Sequence, residues 1–326
     1  MPEPSGAPVS RLLAAAVETR DLTRAFGNVR AVDGLDLRVP AGQVYGLLGP
    51  NGAGKTTALK LLTGLIHPSA GSAQVAGETL GPGRSALELR RRIGYLAEEP
   101  AFFGWMTARE FLVFVGEVFQ LGGKEAGRRA DELLALVGLG ERKKDRIRGF
   151  SRGMRQRLGI AQALIGRPRV LFLDEPASAL DPLGRKEILH LIAALGGQAT
   201  IIMSSHILED VQRVCSWVGI MDRGRLLVEG PLDELLRSYA QPVLDLEVTG
   251  ADSGLAGELE RLPWMRDMSD RPGGWRLIVE DLPAAQREVP ALLAAHGARL
   301  LAFATVTPSL EDVFVRLIGN QREGAV

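Results

Sequence analysis

The sequence is poor in several features that would define whole classes of protein. A single cysteine among 326 residues, Cys215, excludes an intramolecular disulfide and a cysteine-based zinc site, and it fits a reducing compartment. Lys+Arg and Asp+Glu both number 39, so no net charge attracts the chain to nucleic acid or anionic lipid. No stretch of about 18 apolar residues runs without charges, so we expect no membrane-spanning helix. These absences favour a cytoplasmic protein.

The distribution of apolar and polar residues predicts three sections. The chain exceeds one ordinary hydrophobic core, so we expect a large domain and a smaller one. Residues 1–15 are predicted to be a disordered tail, because their start is rich in Pro, Gly and Ser and lacks the blocks of a signal peptide. Strand-like and helix-like patterns alternate over residues 16–238, which predicts an α/β domain. Residues 239–326 have the pattern of a small α+β domain, with strands near Leu244, Trp275 and Arg299.

A glycine-rich loop is the most specific feature of the sequence. It follows the apolar run Val44–Leu48 and precedes a helix-like stretch that opens at Thr57. In a G-x-x-x-x-G-K-T loop the backbone N–H groups and the helix start cradle a triphosphate, the lysine reaches the β- and γ-phosphates, and the last threonine binds Mg²⁺. We therefore predict ATP binding with Mg²⁺ by the loop and the next residue, namely Gly49, Pro50, Asn51, Gly52, Ala53, Gly54, Lys55, Thr56 and Thr57.

Two adjacent carboxylates follow a second apolar run, Val170–Leu173. A buried strand places Asp174 at its carboxyl end, where it can hold the water shell of Mg²⁺. Glu175, one residue further, can orient and deprotonate the water that attacks the γ-phosphate. Asp-Glu after an apolar run is by itself commonly a turn or a helix cap, so the catalytic interpretation depends on the phosphate loop.

The segments around these two motifs resemble those of the ATP-binding subunit of an ABC transporter. The segment Phe150–Met154 is similar to the family signature, and Ser178–Asp181 is similar to its D-loop. Ser204–His206 matches the segment with the switch histidine, and Phe26 stands where the family stacks an aromatic ring on adenine. The resemblance covers about residues 17–229, and the order of these short motifs is more specific than any one of them. It implies the fold of a P-loop NTPase of the ABC type.

The resemblance also implies a second subunit. In the family two ATP-binding domains meet head to tail, so Ser151, Gly153 and Met154 of one chain would contact the ATP held by Lys55 of the other. Asp181 would link the two sites, and His206 would stabilise the γ-phosphate. The family partner is a separately encoded transmembrane permease, which implies a peripheral position at the cytoplasmic face of the membrane and no nucleic-acid partner.

The family pattern is broken at Glu98, and in the signature at Arg152 and Met154. Most members have a glutamine that touches Mg²⁺ and the attacking water, whereas the matching stretch here presents the carboxylate of Glu98. We predict Glu98 as a metal-shell residue, with repulsion of the γ-phosphate as the alternative. The substitution resembles a branch of exporters with separate membrane subunits. The strand-helix-strand pattern after the linker, with its ending at 308–315, resembles the C-terminal extension of ATP-binding subunits associated with drug, antibiotic or sodium export.

Three alternatives remain open from the sequence. The basic residues between Arg142 and Arg157 are expected to form a solvated face, although a nucleic-acid surface has the same composition. The aromatic stretch 100–106 is either an exposed patch that receives the permease or part of the core. A soluble ABC protein that acts on ribosomes or nucleic acid is the alternative function. Such proteins typically have tandem ATP-binding domains, long coiled coils or cysteine-rich inserts, and this chain shows none of these.

Overall fold

The computed structural model describes residues 14–81, 86–178, 180–239, 242–252, 254–306 and 309–323. The predicted N-terminal tail lies outside the described residues except for Ala14 and Ala15. The chain folds into two compact units, Met1–Leu232 and Asp233–Val326. Each unit has its own hydrophobic core.

An antiparallel sheet of five strands opens the first unit. Its order is β2-β1-β5-β6, and β3 pairs with β1. Gly27, with a left-handed φ of 57°, lets the chain reverse within two residues at the hairpin between the first two strands. The strands are β1 (Ala15–Phe26), β2 (Val29–Leu35), β3 (Arg38–Pro40), β5 (Ala70–Val75) and β6 (Glu78–Leu80).

A six-stranded sheet forms the centre of the first unit, with the order β11-β10-β4-β9-β8-β7. All neighbours run parallel except the pair β10 and β11. Every residue of β4 and β8 is buried, as expected for parallel strands whose two faces are both covered. The strands are β4 (Val44–Leu48), β7 (Ile93–Leu96), β8 (Val170–Asp174), β9 (Thr200–Ser205), β10 (Trp217–Asp222) and β11 (Arg225–Pro231).

A buried polar pair lies within this central sheet. The hydroxyl of Tyr45, on β4, donates a hydrogen bond to Glu229 Oε2, on β11, at 3.0 Å. The backbone N–H of Arg38 donates to both oxygens of the same carboxylate, at 3.0 and 3.1 Å. Burial raises the pKa of Glu229, and these donors offset part of the effect because they favour the ionised form.

The helices of the first unit begin at recognisable cap residues. Thr107 and Glu110 form a reciprocal capping box before α3, Ser151 caps α5, and Asp181 caps α6. The helices are α1 (Lys55–Leu62), α2 (Leu87–Arg90), α3 (Ala108–Val118), α4 (Gly123–Leu136), α5 (Arg152–Leu164), α6 (Pro182–Leu195) and α7 (Leu208–Val214).

The second unit is an α+β domain with a four-stranded antiparallel sheet in the order β13-β14-β12-β15. Helix α9 connects β12 to β13, and helix α10 connects β14 to β15. The elements are α8 (Leu232–Tyr239), β12 (Val243–Thr249), α9 (Leu255–Glu260), β13 (Met265–Arg271), β14 (Gly274–Val279), α10 (Leu282–Ala295), β15 (Arg299–Val306) and α11 (Leu310–Glu323). The predicted fold class, α/β followed by a small α+β domain, is confirmed.

Among the described residues, each helix is too short or too polar to cross a bilayer.

Candidate functional site

The glycine-rich loop connects β4 to α1, as the sequence predicts. Gly54 caps α1 with φ 100° and ψ 3°, a left-handed conformation that glycine adopts without strain. A Cβ at this position would lie 2.2 Å from the carbonyl oxygen of Ala31, so a larger residue would displace the backbone. The loop can therefore turn its N–H groups towards an anion at the start of the helix.

The ammonium of Lys55 is held inside the loop. Its Nζ donates to the carbonyl oxygens of Gly49 at 2.6 Å and Pro50 at 3.2 Å. Burial lowers the pKa of Lys55, and the carboxylates of Glu175 and Asp174 partly oppose this effect. The lysine thus places a fixed cation among the oxygens of the loop.

Asp174 ends β8, and its carboxylate is buried. Oδ1 accepts hydrogen bonds from Thr56 Oγ1 at 3.0 Å and from Ser204 Oγ at 2.6 Å. Oδ2 is buried without a hydrogen-bond partner in the described part of the chain, so its lone pairs remain for another ligand. Burial, and then the charge of Asp174, raise the pKa of the nearby Tyr95 hydroxyl.

Glu175 has an unusual backbone and a paired side chain. Its φ of 46° is left-handed; its N–H donates to Ser204 Oγ at 3.0 Å, and its carbonyl accepts from Ser178 Oγ at 3.1 Å. Its carboxylate oxygens lie 2.9 Å from His206 Nδ1 and 3.9 Å from Lys55 Nζ. Burial raises the pKa of Glu175, and His206 and then Lys55 offset part of the shift. A carboxylate with a raised pKa is a better proton acceptor near neutral pH.

Lys55, Glu175 and His206 line one cleft of about 510 Å³, whereas the buried Asp174 does not belong to its wall. Most of the phosphate loop lines it, and the residues outside the loop complete its wall. Gly49 and Pro50 are not in the wall, and neither is Phe26. The lining residues are Ala31, Asn51, Gly52, Ala53, Gly54, Lys55, Thr56, Thr57, Glu98, Glu175 and His206.

The signature residues lie around a different cavity, of about 300 Å³. Ser151, Gly153, Met154 and Asp181 all line it, together with basic residues of the predicted solvated face. The Oγ of Ser151 accepts from Met154 N at 3.2 Å, so its O–H hydrogen remains available to donate. A Cβ on Gly153 would lie 3.1 Å from a methyl of Leu180, which makes this a close approach between signature and D-loop. Ala179, within the predicted D-loop, lies outside the described residues.

Phe26 ends β1, and its ring is 48% exposed. The guanidinium of Arg24 stacks on this ring, 4.5 Å from the centroid, and donates to the carbonyl of His67 at 2.9 Å. The ring is therefore accessible for stacking, although it does not belong to the wall of the phosphate cleft.

The aromatic stretch 100–106 contributes to an exposed surface, which favours an exposed patch over core packing. We call Phe103, Trp105 and Phe114 the aromatic patch; their side chains are 49%, 68% and 42% exposed. The ring of Phe103 lies 6.2 Å from that of Trp105 and 6.0 Å from that of Phe114. Clustered exposed rings of this kind mark an interaction surface.

Two residues of the site receive no role from the sequence. Ser204 bonds both Asp174 and Glu175, and Ala31 lines the cleft and lies against the loop. In the sequence Ser204 stands out only as a neighbour of the switch histidine. The signal that identifies it is its position in the strand adjacent to β8, opposite Asp174.

A glycine-rich loop with its lysine and a strand-end Asp-Glu pair define this site as that of a P-loop nucleoside triphosphatase. The model of the ABC transporter family matches residues 32–178. A second model, described as "ATP-binding protein DrrA1-3-like, C-terminal domain", matches residues 230–318.

Known proteins resemble the chain over nearly its whole length. The bacitracin transport ATP-binding protein BcrA of Bacillus licheniformis is 37% identical over 306 residues, 93% of this chain and 97% of that protein. The daunorubicin resistance ATP-binding protein DrrA3 of Streptomyces coeruleorubidus is 36% identical over 312 residues, 94% and 97% respectively. A solved ATP-binding subunit of an ABC transporter has a TM-score of 0.62 and 30% identity, and covers 69% of this chain and 93% of its own.

The chain belongs to the family of ABC transporter ATP-binding proteins. It is an ATPase of that family.

Proposed function

We propose that the protein drives a separately encoded membrane permease of an exporter by ATP-dependent closure of a head-to-tail dimer. The observation that carries this proposal is the separation of two half-sites within one chain. Lys55, Glu175 and His206 line the phosphate cleft, whereas Ser151 and Gly153 line another cavity. The phosphate cleft is therefore incomplete in a single copy, and a second copy supplies the missing donors.

The chemistry follows from the residues of the cleft. Glu175 accepts a proton from water as the water oxygen attacks the γ-phosphorus, and the bond from that phosphorus to the bridging oxygen breaks to release ADP. Lys55 and the loop N–H groups stabilise the charge on the phosphate oxygens. His206 positions the Glu175 carboxylate through its 2.9 Å contact. Ser151 and Gly153 of the second copy donate from the opposite side, so closure and hydrolysis depend on each other.

The residues present fit a hydrated Mg²⁺. Magnesium prefers oxygen ligands and retains several waters; the cleft wall offers the Thr56 hydroxyl and the Glu98 carboxylate, and the buried Asp174 carboxylate is bonded to Thr56 behind that wall. Thr56, Asp174 and Glu98 would hold the ion or its waters. When bound, the ion neutralises charge on the β- and γ-phosphates.

The permease partner is supported by the aromatic patch and by the relatives. Exposed rings at Phe103, Trp105 and Phe114 offer an apolar contact area of the kind that anchors an interface. The names of the relatives refer to bacitracin transport and daunorubicin resistance, which supports export as the direction of transport. We accordingly place the protein peripherally at the cytoplasmic face of the membrane.

The experiment that tests this function is Glu175→Gln. Loss of the general base lowers turnover by at least about 10²-fold, while the uncharged amide leaves the loop and ATP binding intact. The measurements are phosphate release, equilibrium ATP binding, and the mass of the ATP-bound species by light scattering. We expect an inactive variant that accumulates as an ATP-dependent dimer.

Glu209→Gln is the matched control, because Glu209 is an exposed glutamate at the start of α7 that does not line the cleft. It should retain turnover and show no accumulated dimer. A Glu175→Gln variant that stays monomeric with ATP would refute the dimer. Turnover close to that of the unmodified protein would refute the base.

A further inference from the structure

Ser204 occupies the centre of the phosphate-binding end of the sheet. It lies on β9 with Leu47 of β4 as its partner on one side and Asp174 of β8 on the other. Its side chain is 0% exposed. The residue thus stands between the strand that leads into the phosphate loop and the strand that ends in the two carboxylates.

One hydroxyl links both carboxylate residues. Ser204 Oγ donates to Asp174 Oδ1 at 2.6 Å and accepts from the backbone N–H of Glu175 at 3.0 Å. A serine hydroxyl has one hydrogen to donate, so the donated bond fixes the direction of its lone pairs. The two bonds are therefore coupled, and the Asp174 carboxylate cannot rotate without disturbing the peptide that follows it.

The bond to Glu175 acts on a strained peptide. A left-handed φ of 46° is strained in a residue with a side chain and persists only where neighbouring groups stabilise it. The N–H of Glu175 donates a hydrogen bond to Ser204 Oγ, and its carbonyl oxygen accepts one from Ser178 Oγ at 3.1 Å. This backbone directs the Glu175 carboxylate to His206, 2.9 Å away.

We propose that Ser204 is a positioning residue for the ATPase reaction. It orients Asp174 so that Oδ1 is satisfied within the protein and Oδ2 remains for the metal shell, and it holds the backbone from which Glu175 acts. This inference rests on the proposed roles of Asp174 and Glu175. Ser204 thus influences both the Mg²⁺ dependence and the rate of the reaction, because it is hydrogen-bonded directly to Asp174 and Glu175.

The alternative is a purely structural serine, whose loss would only destabilise the sheet. Thr200 provides the matched control, because it lies on the same strand and is buried. Its hydroxyl accepts from the backbone N–H of Gly42 at 2.9 Å, remote from the cleft. Thr200→Val and Ser204→Ala each remove one buried hydroxyl and leave one backbone N–H without its partner, and only Ser204→Ala also removes a donor to the Asp174 carboxylate.

The experiment compares Ser204→Ala, Ser204→Thr and Thr200→Val in the full chain. The readouts are turnover as a function of Mg²⁺ concentration, and the ATP dissociation constant with Mg²⁺ and with a chelator. Loss of an outer-shell partner typically costs about 10–100-fold in metal affinity or activity. We expect Ser204→Ala to lower kcat by about 10-fold or more and to raise the Mg²⁺ concentration for half-maximal turnover. ATP binding in chelator should stay unchanged.

Ser204→Thr retains the hydroxyl and should restore the Mg²⁺ dependence, whereas Thr200→Val should match the unmodified protein in both readouts. Should Ser204→Ala fail to fold, Ser204→Cys replaces the hydroxyl by a larger thiol that donates and accepts only weakly, and it should shift both readouts in the same direction by a smaller factor. Equal Mg²⁺ dependence and kcat in Ser204→Ala and Thr200→Val would overturn the positioning role alone. A different result would refute the proposed function, namely sustained turnover by Glu175→Gln.

Discussion

The contact between His206 and Glu175 makes a prediction about pH. Burial raises the pKa of Glu175, and His206 is the largest influence that lowers it again. Removing His206 therefore raises the pKa of this carboxyl group further. Because Glu175 must be ionised to accept a proton, activity is lost as pH falls through its pKa. In His206→Ala the acidic limb of the pH profile should move to higher pH.

The size of the effect on rate follows from the donor that is lost. Removal of one preorganised donor in an active site costs about 10²–10³-fold in kcat, or roughly 2.7–4 kcal/mol. His206→Gln keeps a hydrogen-bond donor at this position, so its profile should lie between those of His206→Ala and the unmodified protein.

The assay is a single-turnover measurement of ATP cleavage across pH, with enzyme in excess so that product release does not limit the rate. Equilibrium ATP binding at each pH separates chemistry from binding. An acidic limb that stays in place, or that moves to lower pH in His206→Ala, would show that the 2.9 Å contact has no influence on the proton acceptor.

Two further substitutions test other parts of the structure. Glu98→Gln should raise the Mg²⁺ concentration needed for half-maximal turnover, because an amide attracts the ion less than a carboxylate does; the adjacent Glu99→Gln should not, and identical titrations for both would place Glu98 outside the metal shell. Tyr45→Phe should lower the free energy of unfolding by about 1.5–3 kcal/mol near neutral pH, since it removes a buried donor to an ionised carboxylate. The loss should shrink as pH falls through the raised pKa of Glu229, because a bond to the neutral carboxyl group is weaker, and an effect that does not depend on pH in chemical denaturation would refute the pairing.

Local sequence signals predict the elements that carry the candidate site. The apolar run of β4, the glycines after it and the helix of α1 are consecutive, and each has a strong conformational preference. The fully apolar run of β8 likewise predicts a buried strand that ends at Asp174. In the second unit, the sequence does not predict β13, because five of its seven residues are exposed and their charged side chains hide the alternation of a strand.

Properties that depend on contacts distant in sequence could not be predicted. The left-handed backbone of Glu175 is held by Ser204, 29 residues away, and no local pattern encodes that pairing. The Nδ1 contact of His206 with Glu175 likewise arises from strands that are adjacent in the sheet but separated along the chain. The sequence suggests His206 as a donor to the phosphate, a role that remains a prediction.

The order of the central sheet has a consequence for how the protein is made. The strands that present the cleft, β4, β9, β8 and β7, are neighbours in space, yet the chain supplies β9 last, at residues 200–205. Parallel pairing of such distant segments is slow, because loop closure precedes the contacts that reward it. During synthesis the chain emerges with its N-terminus first, and domains fold as units. The first unit therefore acquires its own part of the ATP site only after β9 has inserted between β4 and β8. ATP that binds only the folded form then favours that form by mass action.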